Sequence, residues 1–469
     1  MLDLAKPEIQ RLMYRFSRRS FLAGSAAAAA VPALAAPRQT PTPAVPEVPR
    51  SGAVDAVIVG AGAAGIAAAR RLVAAGKRIV VIEAADEVGG RCITDTRTFG
   101  IPYDRGAHWI YSSDINPLAK LSTRAGVDIY PAPPGQRMRI GRRFAREGEM
   151  EEFLANLVRA TTAIADAARK SDVACTQVLP KDLGDWRSTI EFVLGPYNCG
   201  KDLSEVSTAD FARAVERDNS AFCRQGFGTL LAKLAAGLPI LLATPVKAVE
   251  WWSRTRMEVQ TGKGEFRTGA AIVTVSTNVL AGGKIRFEPD LPKRQLDAIN
   301  KLKLGSQDHV ALELTGNPLG LRADELAFDK TESKQTAAIF ANVSGSTLCM
   351  IDVGGNFGRE LSGKGEAAMI DFAIGRLAGL YGTDIKANVK RRHATRWNNE
   401  PWVLGASSVA APGAQSARRI MMEPLGNRIF LAGEAAHETL WGTVGGAWES
   451  GERAADAVIR LLGGPSTRR

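Results

Sequence analysis

Val54-Asp-Ala-Val-Ile-Val59-Gly60-Ala-Gly62-Ala-Ala-Gly65 decides the fold of this 469-residue chain. Its first six residues form a short, β-branched apolar run, the pattern of a strand buried on both faces. Three glycines at G-x-G-x-x-G spacing follow at once, and Ile66 to Ala75 continues as a helix. Arg78 to Ile82 reads as a second strand, closed by Glu83 eighteen residues after Gly65. Each piece has a physical task. Gly60 permits a tight turn, Gly62 lets backbone amides approach a pyrophosphate, and Gly65 lets helix and strand pack closely. Ala63 and Ala64 stand at the helix N-terminus, whose positive end would face the phosphates. Glu83 can accept hydrogen bonds from both hydroxyls of an adenosine ribose and would repel a 2′-phosphate, so NADP is disfavoured. The glycines alone would be weak evidence; their place between strand and helix, with an acid closing the next strand, predicts a dinucleotide site.

Composition is that of an ordinary globular protein, 45% apolar and 23% charged. The net charge of +11 is spread along the chain without a lysine–arginine block, which gives nucleic-acid binding little support. The five cysteines (Cys92, Cys175, Cys199, Cys223, Cys349) and four histidines are scattered, and no metal site is expected. A disulfide among Cys175, Cys199 and Cys223 is left open. At the start, Ser17-Arg18-Arg19-Ser20-Phe21-Leu22 precedes an alanine-rich run and Pro32-Ala33-Leu34-Ala35. This reads as a twin-arginine export signal over 1–36, with 37–50 as a proline-rich linker. The apolar run is roughly half the ~18 residues that an anchor needs, so no stable membrane insertion is expected. Export would place the protein in the periplasm or outside the cell, with the twin-arginine machinery as a partner.

Glu83-Ala84-Ala-Asp-Glu-Val-Gly89-Gly90-Arg91 adds a second glycine turn and a cation able to fork onto phosphate oxygens. Near the other end, Asn427-Arg-Ile-Phe-Leu-Ala-Gly433-Glu434 is a strand ending in glycine and acid. Gly442-Thr443-Val444-Gly445-Gly446-Ala447 then opens a helix running to about Leu462. With Tyr103-Asp-Arg-Gly106-Ala107-His108-Trp109-Ile110 between them, these motifs resemble the flavin-containing amine oxidase family, most closely its bacterial members. The resemblance spans roughly residues 54 to 463 and is weakest from 140 to 220. It implies noncovalent FAD, since Gly405-Ala406 stands where some members attach the flavin through cysteine. It also implies a discontinuous Rossmann-like α/β FAD domain (51–125, 226–285 and 395–465) and an α+β substrate domain (126–225 and 286–394).

The resemblance places Gly106, Ala107, His108, Trp109 and Trp397 beside the flavin ring, Val246 at the adenine and Glu434 at the ribityl or phosphate region. The amides around Thr443 and Val444, at a helix N-terminus, would face the flavin edge that gains negative charge on reduction. The implied reaction is oxidation of a small-molecule amine by hydride transfer to flavin N5, with imine hydrolysis and oxygen or another acceptor taking the electrons. Candidate catalytic residues are His309, Trp397, Ser407, Thr443 and His108. Three departures qualify this. His309 stands where the family usually has a lysine that holds a water, a task a histidine could also perform. Ser407 and Thr443 occupy positions that hold aromatic side chains in monoamine-oxidising members, which argues against a simple arylalkyl monoamine. The family usually has proline where Ser276 stands. A flavin desaturase, another C–C or C–O oxidoreductase, or a non-catalytic flavoprotein are the alternatives.

Overall fold

In the computed structural model, which describes residues 50–215, 219–253 and 256–463, Gly52–Val59 is a strand whose last four residues are buried. It pairs in parallel with Ile79–Ile82 on one side and Glu265–Val273 on the other, setting Val59 beside both Ile82 and Val273. Ile429–Leu431 joins the far side of Glu265–Val273 in parallel and sets Leu431 beside Val273. Four strands from three distant parts of the chain therefore end level. In open parallel sheets the crevice beyond those carboxyl ends is where ligands bind.

The Ala63–Ala74 helix starts at Gly62 and stops at Gly76 (φ 71°), where the amides of Gly76 and Lys77 return to the carbonyls of Val73 and Leu72. That is the glycine-terminated Schellman end. The C-terminal helix Val444–Leu461 packs against it, and a Cβ on Gly451 would lie 2.0 Å from the Ala64 carbonyl oxygen. Ala64, Ala68, Ala455 and Val458 bury with Ala56 and Ile58 of the sheet. Small residues are what let these two helices and the sheet approach so closely.

The full sheet has eight strands, and Arg286–Glu288 is one of them, paired in parallel with Val246–Glu250. Ala298 and Ile299 of the Lys293–Lys301 helix bury in the same core. The sequence-based boundary at 285 therefore falls short by one strand and one helix. A second, mixed sheet of seven strands runs in the order Val389–Ala394, Gln307–Leu314, Leu348–Gly354, Ala338–Ala341, Glu325–Asp329, Arg137–Ile140 and Arg143–Phe144. The Gly355–Gly363 and Glu366–Tyr381 helices contribute Leu361, Met369 and Leu377 to its core. Glu147–Ala168 leads a helical region covering most of 147–213. This is the α/β domain with an attached α+β domain expected from the sequence. Cys92, Cys175, Cys223 and Cys349 are buried free thiols, and Cys199 Sγ lies 3.4 Å from the Leu194 carbonyl. Export signal and linker, apart from Arg50, lie outside the described residues. No described helix is long and apolar enough to cross a membrane.

Candidate functional site

A cavity of about 650 Å³ opens beyond the level ends of the parallel strands and reaches the second sheet. Gly60, Gly62, Ala63 and Ala64 line it from the first turn. The three motif glycines separate by cause. Gly60 has φ 103°, and a Cβ there would sit 2.5 Å from Thr274 Oγ1. A Cβ on Gly65 would lie 1.9 Å from the Gly60 carbonyl oxygen; this residue is off the cavity wall and serves packing. Gly62 is different: its Cβ would meet nothing nearer than 3.9 Å, yet it faces the cavity. The protein's own packing does not require that glycine, whereas close approach of a ligand does.

Glu83 is buried at the edge of the same wall, with Ala84 beside it. Its Oε2 accepts from the Ala61 amide (2.6 Å) and its Oε1 from the Ala85 amide (2.8 Å). Burial pushes its pKa up, and these amides oppose the shift only in part. Gly89 and Gly90 both have positive φ, and the Gly89 amide donates to the Ala61 carbonyl, so the two glycine turns are tied together. Val246 borders the cavity from the Val246–Glu250 strand.

On the opposite side, Gly433, Glu434, Thr443 and Val444 complete the wall. Thr443 caps the final helix: its Oγ1 accepts from the Gly446 amide (2.9 Å) and donates to the Leu440 carbonyl (2.7 Å). The first-turn amides of that helix have no intrahelical partner, so a second positive helix end borders the cavity. Glu434 is committed elsewhere than the sequence suggests. Oε1 accepts from Arg91 Nη1 (2.8 Å) and the Ser408 amide (3.0 Å); Oε2 accepts from Ser408 Oγ (2.6 Å) and the Gly442 amide (2.9 Å). A carboxylate has about four acceptor positions, so none remains for ribityl hydroxyls. Glu434 instead fastens both glycine motifs and the 406–408 segment to one another. Burial alone would raise its pKa, but the charges of Arg91 and Arg418 and the Ser408 hydroxyl hold it below the ordinary carboxylate value. Arg91 Nη1 also donates to the Ala406 carbonyl.

His309 and Asp352 face each other across the antiparallel pair Gln307–Leu314 and Leu348–Gly354. The His309 Nδ1–Asp352 Oδ1 distance is 2.5 Å, and Nε2 lies 3.0 Å from the Gly106 carbonyl. Both partners are acceptors, so both ring nitrogens donate and the ring is an imidazolium. Burial opposes that charge, but the Asp352 carboxylate and the two hydrogen bonds outweigh it and push the pKa to about 9. An imidazole has only two N–H groups, and here both are spent on the protein. His309 therefore has no donor left for a water, contrary to the expectation that it would replace the usual lysine in that task. It pins the Gly106 turn instead.

His108 lines the cavity as well. Its Nδ1 is 2.8 Å from Asp104 Oδ2, its ring stacks on Phe222 at 4.7 Å, and its Nε2 is buried without a partner among the described residues. Gly106, Ala107 and Trp109 line the cavity. Trp397 does too, with its indole N–H donating to the Arg105 carbonyl and its amide to Asp308. A Cβ on Gly106 would lie 3.0 Å from the Trp397 ring. Ser407 is on the wall with its hydroxyl 3.5 Å from the Cys199 carbonyl.

A sequence model for flavin containing amine oxidoreductases matches residues 63–459. The chain belongs to the flavin-containing amine oxidoreductase family. Among its relatives, human lysine-specific histone demethylase 2 is 26% identical over 449 residues, covering 86% of this chain and 53% of that protein. Probable polyamine oxidase 4 of Arabidopsis thaliana is 25% identical over 451 residues, covering 87% of each chain. The chain thus spans about half the length of the histone demethylase relative. Among solved structures, cyclohexylamine oxidase from Brevibacterium oxydans superposes with a TM-score of 0.73 at 22% identity, over 87% of this chain and 99% of that one. Putrescine oxidase bound to putrescine gives 0.73 at 21%, also over 87% and 99%.

As a flavin amine oxidoreductase family member, the chain needs room for its flavin, and the bare Gly62 face and two helix N-termini meet that need. Several functional positions escaped the sequence reading. Asp352 is recognisable only through strand register. Tyr111 opens a turn two residues past Trp109 and has no pattern that singles it out. Tyr197, Asn198, Gln307, Phe340 and Met350 reach the cavity from separate elements and carry no local signal. Among the described residues no His, Cys, Asp and Glu cluster is placed to hold a metal ion.

Proposed function

We propose that the protein is an exported enzyme that binds FAD noncovalently and oxidises an amine at its C–N bond. The observation that carries this reading is one continuous cavity bordered by both glycine motifs and both helix N-termini and also by Trp109, Tyr111 and the second sheet's Phe340. Bound FAD would supply the acceptor for a hydride, two electrons with one proton, leaving the substrate carbon, and oxygen or another acceptor would then take the electrons. The protein's part is placement and electrostatics. Gly60, Gly62 and the first turn of Ala63–Ala74 cradle the pyrophosphate, and Glu83 takes the ribose hydroxyls. Amides at the start of Val444–Leu461 stabilise negative charge on the reduced ring. Trp397 and the His309-pinned Gly106 turn keep the ring's surroundings rigid and dry.

The test is anaerobic addition of amines to the purified, flavin-loaded protein. Bleaching of the flavin spectrum by an amine, and its return on admitting oxygen or an artificial acceptor, is the expected result. A bound flavin that no amine bleaches would shift the reading to a desaturase or a non-catalytic flavoprotein. Acid precipitation should release FAD into the supernatant; flavin left on the pellet would refute noncovalent binding. Export rests on Ser17-Arg18-Arg19-Ser20-Phe21-Leu22, and Arg18→Lys with Arg19→Lys should retain the precursor in the cytoplasm.

A further inference from the structure

We propose that His437 is a positioning residue for the flavin: its neutral ring holds the turn that sets the start of Val444–Leu461, and protonation of that ring releases the turn and the flavin with it. The inference rests on the flavin reading above and adds to it a residue that lies off the cavity wall. Donor and acceptor roles fix the state of the ring. His437 Nδ1 lies 2.9 Å from the Leu440 amide nitrogen and 3.3 Å from that of Thr439. A backbone N–H can only donate, so Nδ1 carries a lone pair and no proton. Nε2 lies 3.1 Å from Glu449 Oε2 and donates to it. The ring is therefore neutral, with its one proton on Nε2. A second proton, placed at Nδ1, would point a donor at two donors and break both bonds to the turn.

The turn in question carries the flavin-facing amides. The Leu440 carbonyl accepts from Thr443 Oγ1 (2.7 Å), and the same Thr443 oxygen caps the helix by accepting from the Gly446 amide (2.9 Å). A Cβ on Gly446 would lie 2.1 Å from that Leu440 oxygen, so turn and helix start pack without slack. Next to them the Gly442 amide donates to Glu434 (2.9 Å), and Gly442, Thr443 and Val444 all line the cavity. Moving Leu440 therefore moves the helix N-terminus that borders the flavin.

The surroundings favour the neutral ring. Glu449 and Arg453 face it from the final helix, and Arg418 faces it from the Ala417–Met422 helix with its partner Asp210. The neighbouring Glu438 is paired with Arg419. Burial, together with the charges of Arg453 and Arg418, outweighs the attraction of Glu449 and holds the His437 pKa below 6.5. The contribution of the neutral ring is thus present above about pH 6.5 and fades as pH falls through the lower folded value.

The experiment dilutes the flavin-loaded full chain, equilibrates it between about pH 5 and 8, and reads free FAD by fluorescence. Glu434, whose pKa is held below the ordinary carboxylate value, stays charged over that range. Once the turn is released His437 titrates near its ordinary value, so linkage of one proton should raise the wild-type dissociation constant by up to about tenfold per pH unit below 6.5. His437→Ala, which lacks the acceptor, should bind FAD at least about tenfold more weakly at pH 8. His437→Asn places an oxygen near the position of Nδ1, an acceptor that does not titrate; it should recover most of that loss and lack the slope. A ring that only fills space would give the two variants equal affinities, and that result overturns the inference. Histidine-selective 15N spectra of the flavin-loaded protein supply a second readout. The signal lost in His437→Asn should show its proton on Nε2 and titrate below pH 6.5. A proton on Nδ1, a wild-type profile without the slope, or a slope retained by His437→Asn overturns this inference and leaves flavin binding standing. A wild-type protein that takes up no FAD at any pH overturns the flavin reading and this inference with it.

Discussion

Replacing Arg418 with methionine should cost about 3–5 kcal/mol of stability, the range for stranding one partner of a buried ion pair. Arg418 is 3% exposed at its side chain and binds Asp210 with two nitrogens, Nε to Oδ1 at 2.6 Å and Nη2 to Oδ2 at 2.8 Å. It also donates to Ser408 Oγ at 3.0 Å and to the carbonyls of Ser408 and Ala435, each at 3.2 Å. Methionine retains much of the volume and removes all five contacts. Asp210, 5% exposed at its side chain, would keep the Ala410 amide at 3.0 Å as its remaining donor among the described residues, too little to hold a buried carboxylate. The loss should spread. Ser408 Oγ is also a donor to Glu434, so loosening Ser408 weakens the residue that ties the two flavin-side motifs. The assay is urea unfolding of the flavin-loaded protein, followed by tryptophan fluorescence and by flavin release. Arg418→Met with Asp210→Leu removes both charges, and the double variant should be at least about 2 kcal/mol more stable than the sum of the single losses implies. A single-variant cost under about 1 kcal/mol, or strict additivity of the two, would refute the claim that this pair is a buried, mutually dependent unit.

Gly62→Ala should fold with nearly wild-type stability and bind flavin at least about tenfold more weakly, because its Cβ meets no protein atom within 3.9 Å. Gly65→Ala should do the reverse in order of severity and lose stability first, by about 1–3 kcal/mol, since its Cβ would lie 1.9 Å from the Gly60 carbonyl oxygen. Equal stability losses in the two variants would contradict the division of labour. The His309 pKa is raised from 6.5 to about 9, so the stabilisation from its charged form is complete below about pH 6.5 and disappears as pH rises through 9. Between those limits wild type should lose roughly 3 kcal/mol relative to His309→Gln; parallel stability curves would show that the ring is not held charged. Glu434 has the opposite sign. Its pKa is held below the ordinary value, so its contribution is present above about pH 4.5 and fades as pH falls through the depressed value. Glu434→Gln should therefore flatten the acid limb of flavin release, and an unchanged limb would refute the assignment.

Where one stretch of chain must meet a local backbone demand, the sequence revealed the structure. The strand, glycine turn and helix from Val54 to Ala75 are local, as is the Thr443 cap at the start of Val444–Leu461. Roles given to single side chains by likeness fared differently. His309 lies in the cavity wall as expected, but strand register sets it opposite Asp352, 43 residues away, and that neighbour uses up one of its two donors. Glu434 also lies on the wall as expected, yet its acceptors are taken by residues brought from 91, 408 and 442. The boundary at 285 missed Arg286–Glu288 because a three-residue strand has too short a pattern to separate it from a loop.

By itself, the sequence determined that the chain builds a parallel-sheet dinucleotide fold and where its phosphate-facing turns lie. Those features depend on glycine's freedom at φ values near 100° and on residues adjacent in the chain. Only the tertiary structure decided which charged groups are already neutralised and where the aromatic surface of the cavity comes from. Trp109, Tyr111 and Phe340 become neighbours through packing across more than two hundred residues of chain. Hydrogen-bonding capacity is finite, so a side chain's chemistry is known only when all the partners that consume it are in place.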